Sequence, residues 1–160
     1  MQQGLPRIFE RARSLGLSTS LDTNYDPSEQ WRGFDELLSV TNVFLPNEAE
    51  ACSLTREENA ELAATKLAGR VETLAIKLGA QGALGLSKDQ KVRVASIPVK
   101  VVDTVGAGDS FDAGFIYGYL QGWPLEKTLR AAAICGARST QAAGGTAAQA
   151  TLDEVLRELS

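Results

Sequence analysis

The sequence predicts an α/β protein with a mainly parallel sheet. Short apolar runs of strand length alternate with segments of helical period along the chain. Two neighbouring runs read as a β-hairpin, and no repeat or low-complexity tract interrupts the order. A small-residue turn, Asp103-Thr104-Val105-Gly106-Ala107-Gly108-Asp109, joins the end of one apolar run to the start of a helical one.

Leu5, Ile8, Phe9, Ala12 and Leu15 share a helical face, and Gly16 is a stop. Leu17 to Asp22 reads as a short strand. The polar stretch Asp22-Thr23-Asn24-Tyr25-Asp26-Pro27 follows at its C-terminal end, the edge where open α/β sheets collect ligands. Trp31 to Val40 reads as a helix and Val43-Phe44-Leu45 as a buried strand. Pro46-Asn47-Glu48-Ala49-Glu50 opens the next helix, with Asn47 and Glu50 three apart on one face. Glu57 to Leu67 is amphipathic. Leu74 to Leu78 reads as a buried strand carrying one lysine, Lys77, and Gly79 to Gly82 as a turn. Ala83 to Leu86 and Val92 to Ala95 form the expected hairpin around Ser87 to Lys91. Ile97 to Val102 reads as the strand that feeds the glycine turn, and Phe111 to Leu120 as the helix that leaves it. Pro124 to Thr140 is an Ala-rich helix. Gly114 and Gly118, four apart, would let Ala131-Ala132-Ala133 pack closely against them. After the loop Ala143-Gly144-Gly145-Thr146, Leu152 to Leu159 is a terminal helix with a Thr151–Glu154 capping box.

The chain has 160 residues, about one domain's worth, and a hydrophobic fraction of 44% that suits a globular core. A net charge of -4 argues against a nucleic-acid binder, which normally carries a basic stripe. No apolar run approaches the roughly 20 residues of a membrane span. The residues from Met1 to Arg7 do not read as a signal peptide, so a cytoplasmic protein is the expectation. Cys52 and Cys135 match no zinc or redox spacing. The count of histidines is 0, which removes Ser-His-Asp triads and Cys-His pairs. Acid–base work must fall to Asp, Glu, Lys or Tyr.

The candidate chemistry centres on Asp109. The first amides of a helix have no internal partner and lie at the positive end of its dipole. With Gly106, Ala107 and Gly108 there, an anion can approach the backbone, and Asp109 places a carboxylate beside it. A carboxylate next to an anion cradle points to phosphoryl transfer, in which the protein positions groups and neutralises charge. Asp109 also has a plain reading as a helix-start acid. Lys77 reads either as a snorkelling lysine or as a cation for nucleotide phosphates, with Gly79 and Gly82 letting a nucleotide lie near the backbone. Asn47 and Glu50 read either as a helix cap or as magnesium organisers. Asp103 is a strand-end turn residue or a cation ligand, and Asp22 and Asn24 are turn residues or ligands. There is no G-x-x-x-x-G-K-[ST] loop and no protein-kinase motif set.

Asp103 to Phe111 resembles the C-terminal signature of the ribokinase-like (PfkB-type) carbohydrate kinases. Asn47-Glu48-Ala49-Glu50 resembles that family's N-x-x-E motif, Lys77 to Gly82 its T/K-x-G-x-x-G nucleotide turn, and Asp22-Thr23-Asn24 its D-x-N segment. The resemblance implies a three-layer α/β/α fold and an ATP-dependent sugar kinase. Asp109 would be the base, and Gly106, Ala107 and Gly108 the anion hole. Lys77, Gly79, Gly82 and Gly108 would contact ATP, with Ala133 at a position where many members touch the nucleotide. Asn47 and Glu50 would organise Mg2+. Asp103 and Val105, with Ser139, Ala142, Gly144 and Ala148 at the second loop, match the site of a monovalent cation such as K+. Asp26 stands where related members carry Arg. Family members run to roughly twice this length. The resemblance therefore implies the C-terminal portion of the fold as one domain over residues 1–160, without the lid and most sugar-binding residues. It implies ATP and a small sugar or sugar acid as partners, and a homo-oligomer through exposed edges. A nucleotide-binding remnant without turnover is the alternative.

Overall fold

The computed structural model describes residues 4–23, 31, 33–88 and 90–160. Asn24, Asp26 and the rest of the polar loop after Thr23 lie outside the described residues, as do Arg32 and Asp89. The elements run in the order α1 (Leu5–Ser14), β1 (Ser20–Leu21), α2 (Phe34–Ser39), β2 (Val43–Phe44), α3 (Glu48–Thr55), α4 (Ala60–Leu67), β3 (Thr73–Lys77), β4 (Ala83–Ser87), β5 (Gln90–Val94), α5 (Ala107–Leu120), α6 (Leu125–Ser139) and α7 (Leu152–Leu159). The sheet has five strands in the order β1-β2-β3-β4-β5. The pairs β1–β2 and β2–β3 are parallel, with Leu21 opposite Phe44 and Phe44 opposite Leu74. The chain groups into two compact units, Met1–Ile76 with Leu86–Gln90, and Lys77–Gly85 with Lys91–Ser160.

In the first unit the core forms from Leu38, Val43, Phe44, Leu45, Leu67, Leu74 and Ile76, all buried. These are the apolar runs that a parallel strand, covered on both faces, requires. Two helices begin where a side chain caps them. Asn47 opens α3, and Asn59 opens α4 by accepting from the Leu62 amide at 3.0 Å. That second cap corrects the expected start at Glu57, because Glu57 and Glu58 precede it. On α1 the apolar stripe is present, yet Ile8 is 63% exposed.

In the second unit α5 packs along α6. A Cβ at Gly114 would lie 2.9 Å from the Cys135 Sγ and 3.0 Å from the Ala132 Cα, so the expected Gly114–Ala contact is real. Gly118 instead faces Thr128. The helix α7 docks through Val155 against Ala131 and Ile134. Its Thr151–Glu154 capping box is formed as expected.

The segment 97–102 is a correction. It has the alternation of a strand, with Ile97 packed on the α6–α7 cluster, but it joins no ladder. Pro98 has no amide to give. The amides of Val102 and Asp103 instead both donate to the Thr140 carbonyl, at 2.8 and 3.1 Å. Val101 and Val102 are left 58% exposed each.

Candidate active site

In the second unit, the glycine turn forms an anion-binding helix start. Gly106 is the residue before the helix, in the left-handed region at φ 74°. A Cβ there would also meet Gly145 backbone atoms at 3.0 Å, so a side chain is excluded by both strain and space. The first turn of α5 is Ala107, Gly108 and Asp109, which places the helix start four residues earlier than the sequence suggested. Glycine at 108 is no barrier, because the preceding Gly106 has already set the entry angle. The Ala107 amide donates back to the Thr104 carbonyl at 3.2 Å. Of the expected anion-hole residues, Ala107 therefore has its amide engaged. The amides of Gly108 and Asp109 precede the first intrahelical bond, which Ser110 makes to Gly106 at 2.9 Å. Asp109 is exposed on this turn.

Asp103 holds the turn to the loop that follows α6. Its carboxylate accepts from the Val105 amide at 3.0 Å and from the Gly144 amide at 2.9 Å. The Gly144 amide first, and then that of Val105, hold its carboxyl below the usual carboxylate range. The Val105 carbonyl faces Gly145, where a Cβ would come within 2.7 Å of it. Asp103, Val105 and Gly144 are thus brought together, with Gly144 contributing its amide rather than the carbonyl that the cation-site expectation named. Carboxylate and carbonyl oxygens of this kind fit a hard cation, and each Asp103 oxygen keeps lone-pair capacity beyond the one backbone bond described. Ser139 is fully buried, its hydroxyl donating to the Gly136 carbonyl at 2.9 Å. Ala142 and Ala148 are half-buried in the loop, and Ala133 is buried on α6.

Lys77 ends β3, and its ammonium lies 3.2 and 3.3 Å from the two carboxylate oxygens of Asp112. The side chains are 14% and 12% exposed. The same ammonium sits 3.6 Å from where a Cβ on Gly108 would be. Asp112 was not singled out from the sequence. The signal was there, because Gly108 and Asp112 are four apart on one helix face. The turn after Lys77 is closed by the Leu78 amide bonding to the Gly82 carbonyl at 2.9 Å. Gly79 and Gly82 then differ. A Cβ on Gly79 meets nothing among the described residues, whereas one on Gly82 would fall 2.0 Å from the Val94 carbonyl. Gly82 is therefore required by packing, and Gly79 is the glycine open to a ligand.

In the first unit, Asn47 and Glu50 form a complete capping box at the start of α3. The Asn47 side chain accepts from the Glu50 amide, and Glu50 Oε2 accepts from the Asn47 amide, both at 2.9 Å. Thr23, from the C-terminal end of β1, donates to the same Oε2 at 3.1 Å. Glu50 is only 4% exposed. The cap reading is thus realised, and it does not exhaust the pair's lone pairs. One carboxylate and one amide fit an ion that keeps most of its waters, as Mg2+ does, and do not make a closed protein cage. Among the described residues no three His, Cys, Asp or Glu side chains cluster as a metal site. None of their helices is long and apolar enough to cross a membrane.

The family pattern decides what these pieces belong to. The pfkB family carbohydrate kinase profile matches residues 5–152. The chain belongs to the pfkB family of carbohydrate kinases. An uncharacterized sugar kinase of Archaeoglobus fulgidus is 39% identical over 114 residues, covering 71% of this chain and 46% of that one. A ribokinase of Haemophilus influenzae is 34% identical over 131 residues, covering 78% and 43%. The structure of Arabidopsis thaliana ribokinase complexed with ribose and ATP superposes with a TM-score of 0.84 at 26% identity, covering 100% of this chain and 53% of that one. The pfkB chain therefore has the ribokinase-like α/β fold, and it spans about half the length of the relatives it matches.

Proposed function

We propose that this pfkB-family chain corresponds to the C-terminal, catalytic portion of the family fold. In this reading it transfers the γ-phosphoryl group of ATP to a hydroxyl of a small sugar or sugar acid. The observation that carries the proposal is the helix start at Gly106 to Asp109, where two first-turn amides without a backbone partner among the described residues stand with a carboxylate. Asp109 takes the proton of the acceptor hydroxyl as its oxygen bonds to the γ-phosphorus and the bond to the ADP oxygen breaks. The amides of Gly108 and Asp109 receive the charge that builds on the transferred group. Lys77 and Gly79 form the nucleotide side of the site. The ATP complex of the Arabidopsis relative supports ATP as the nucleotide, and the ribose in it supports a sugar as acceptor.

Asn47 and Glu50 are the residues that would hold Mg2+ through its waters, and Asp103, Val105 and Gly144 those that would hold K+. Each ion would supply positive charge at its own residues. Self-association belongs to the same proposal. It rests on exposed Ile8, Leu15 and Leu17, in the segment that leads into the terminal strand β1. A clean monomer by light scattering would contradict that part.

A coupled assay of ADP formation across pentoses, hexoses, ketodeoxygluconate and nucleosides tests the activity. Turnover with at least one acceptor is expected, and Asp109→Asn should lower it by about 10²–10⁴-fold. ATP binding with no product from any acceptor would contradict catalysis by this chain. Turnover that survives Asp109→Asn would contradict the base.

A further inference from the structure

The Lys77–Asp112 pair stands where helix electrostatics opposes it. A cation at the start of a helix meets the positive end of the dipole, and lysine is disfavoured there. Yet the Lys77 ammonium lies against the first turn of α5, 3.6 Å from the Cβ position of Gly108. A Cβ at residue 108 would be in van der Waals contact with that ammonium. What holds it is Asp112, one turn further on, through both carboxylate oxygens at 3.2 and 3.3 Å. The two side chains are largely withdrawn from water, so this is not a solvated surface pair. Asp112 also lies on α5 itself, the helix that carries Asp109. The ammonium is therefore fixed relative to the helix start, rather than merely near it.

We propose that Asp112 is a positioning residue. It holds the Lys77 ammonium over Gly108, where the ammonium and the amides of Gly108 and Asp109 together bind the phosphates of a nucleotide. This rests on the kinase reading above and adds to it a residue that the family motifs do not name.

The sign of one substitution discriminates. A carboxylate that merely neighbours an anion site repels the anion, so its removal should tighten binding. A carboxylate that holds the binding cation in place should weaken binding when removed. Calorimetric titration of the chain with ATP and Mg2+ reads this directly, with thermal melting as the control for folding. Lys77→Met should weaken ATP binding about tenfold, as expected for a lost charge-assisted contact. Asp112→Asn should weaken it about fivefold, even though it removes a negative charge. In the Lys77→Met background, Asp112→Asn should cost no further affinity, because its effect passes through the lysine. Where Asp112→Asn fails to fold, Asp112→Glu keeps the charge and moves the carboxylate by one methylene. It should then lose affinity while melting near the parent temperature.

Equal or tighter ATP binding by Asp112→Asn, or unchanged binding by Asp112→Glu where Asn does not fold, overturns the positioning role and leaves the kinase reading intact. A further loss when Asp112→Asn is added to Lys77→Met also overturns it. Absence of ATP binding by the parent chain overturns both.

Discussion

Gly114→Ala sets two known effects against each other. Replacing glycine by alanine inside a helix normally stabilises it, by about 1 kcal/mol. Here the new methyl would meet the Cys135 Sγ at 2.9 Å, the Ala132 Cα at 3.0 Å and the Ala131 carbonyl at 3.2 Å. Two of those three partners are backbone of α6, which cannot swing aside as a side chain can. Overpacking of this kind costs about 1–3 kcal/mol. The balance is a net loss of about 1 kcal/mol, and at this chain length that lowers the melting temperature by about 2–4 °C. Circular dichroism melting measures it. Cys135→Ala removes the nearest side-chain obstacle and leaves the backbone ones. Gly114→Ala should therefore cost less in that background, though still something. A variant that melts above the parent would refute the reasoning, because helix propensity would then outweigh the contact. Gly114 is five residues beyond Asp109 on α5, so a shift of α5 along α6 should also lower phosphotransfer.

Three further outcomes are expected. Asp103 and Glu154 both titrate below the usual carboxylate range, through backbone amides at Gly144 and at Thr151 first. A group whose folded pKa is depressed stabilises the fold above its unfolded value, about 3.9 for Asp and 4.3 for Glu, and loses that contribution as pH falls through the folded value. Melting temperature should therefore fall below about pH 4, and the Asp103→Asn variant should show a shallower acid limb; an unchanged limb would contradict the Asp103 clamp. Gly82→Ala should cost about 3 kcal/mol or more, because its backbone is at φ 93° and the methyl would sit 2.0 Å from the Val94 carbonyl. Near-parent melting of that variant would contradict the geometry. Thr23→Val removes one of the two hydrogen bonds to Glu50 Oε2. It should weaken Mg2+ binding by the chain, read by calorimetric titration, about tenfold, and unchanged Mg2+ binding would remove Glu50 from the metal account.

Elements with a local signal were legible in the sequence. The capping boxes at Asn47–Glu50 and Thr151–Glu154 are each written within four residues, and both formed. The Gly114 contact was legible because a helix surface repeats every three to four residues. The segment 97–102 has the alternation of a strand and lacks its partner: at its end the Val102 amide goes to the Thr140 carbonyl instead of a ladder. The sequence presents the Ala107 amide as a free donor, since nothing in it says that Thr104 would accept from it. Asp112 escaped notice for a related reason. Its meaning comes from Lys77, 35 residues earlier. Gly79 and Gly82 looked equivalent, and only the position of Val94 separates them.

The central claim is that the helix start from Gly106 to Asp109 receives the phosphates of ATP. Amide NMR of the chain, titrated with ATP and Mg2+, tests it at single-residue level. The account predicts the largest shifts at Gly108 and Asp109, and smaller ones at Ala107, whose amide is held by Thr104. Saturable ATP binding that leaves the Gly108 and Asp109 amides unmoved would contradict it.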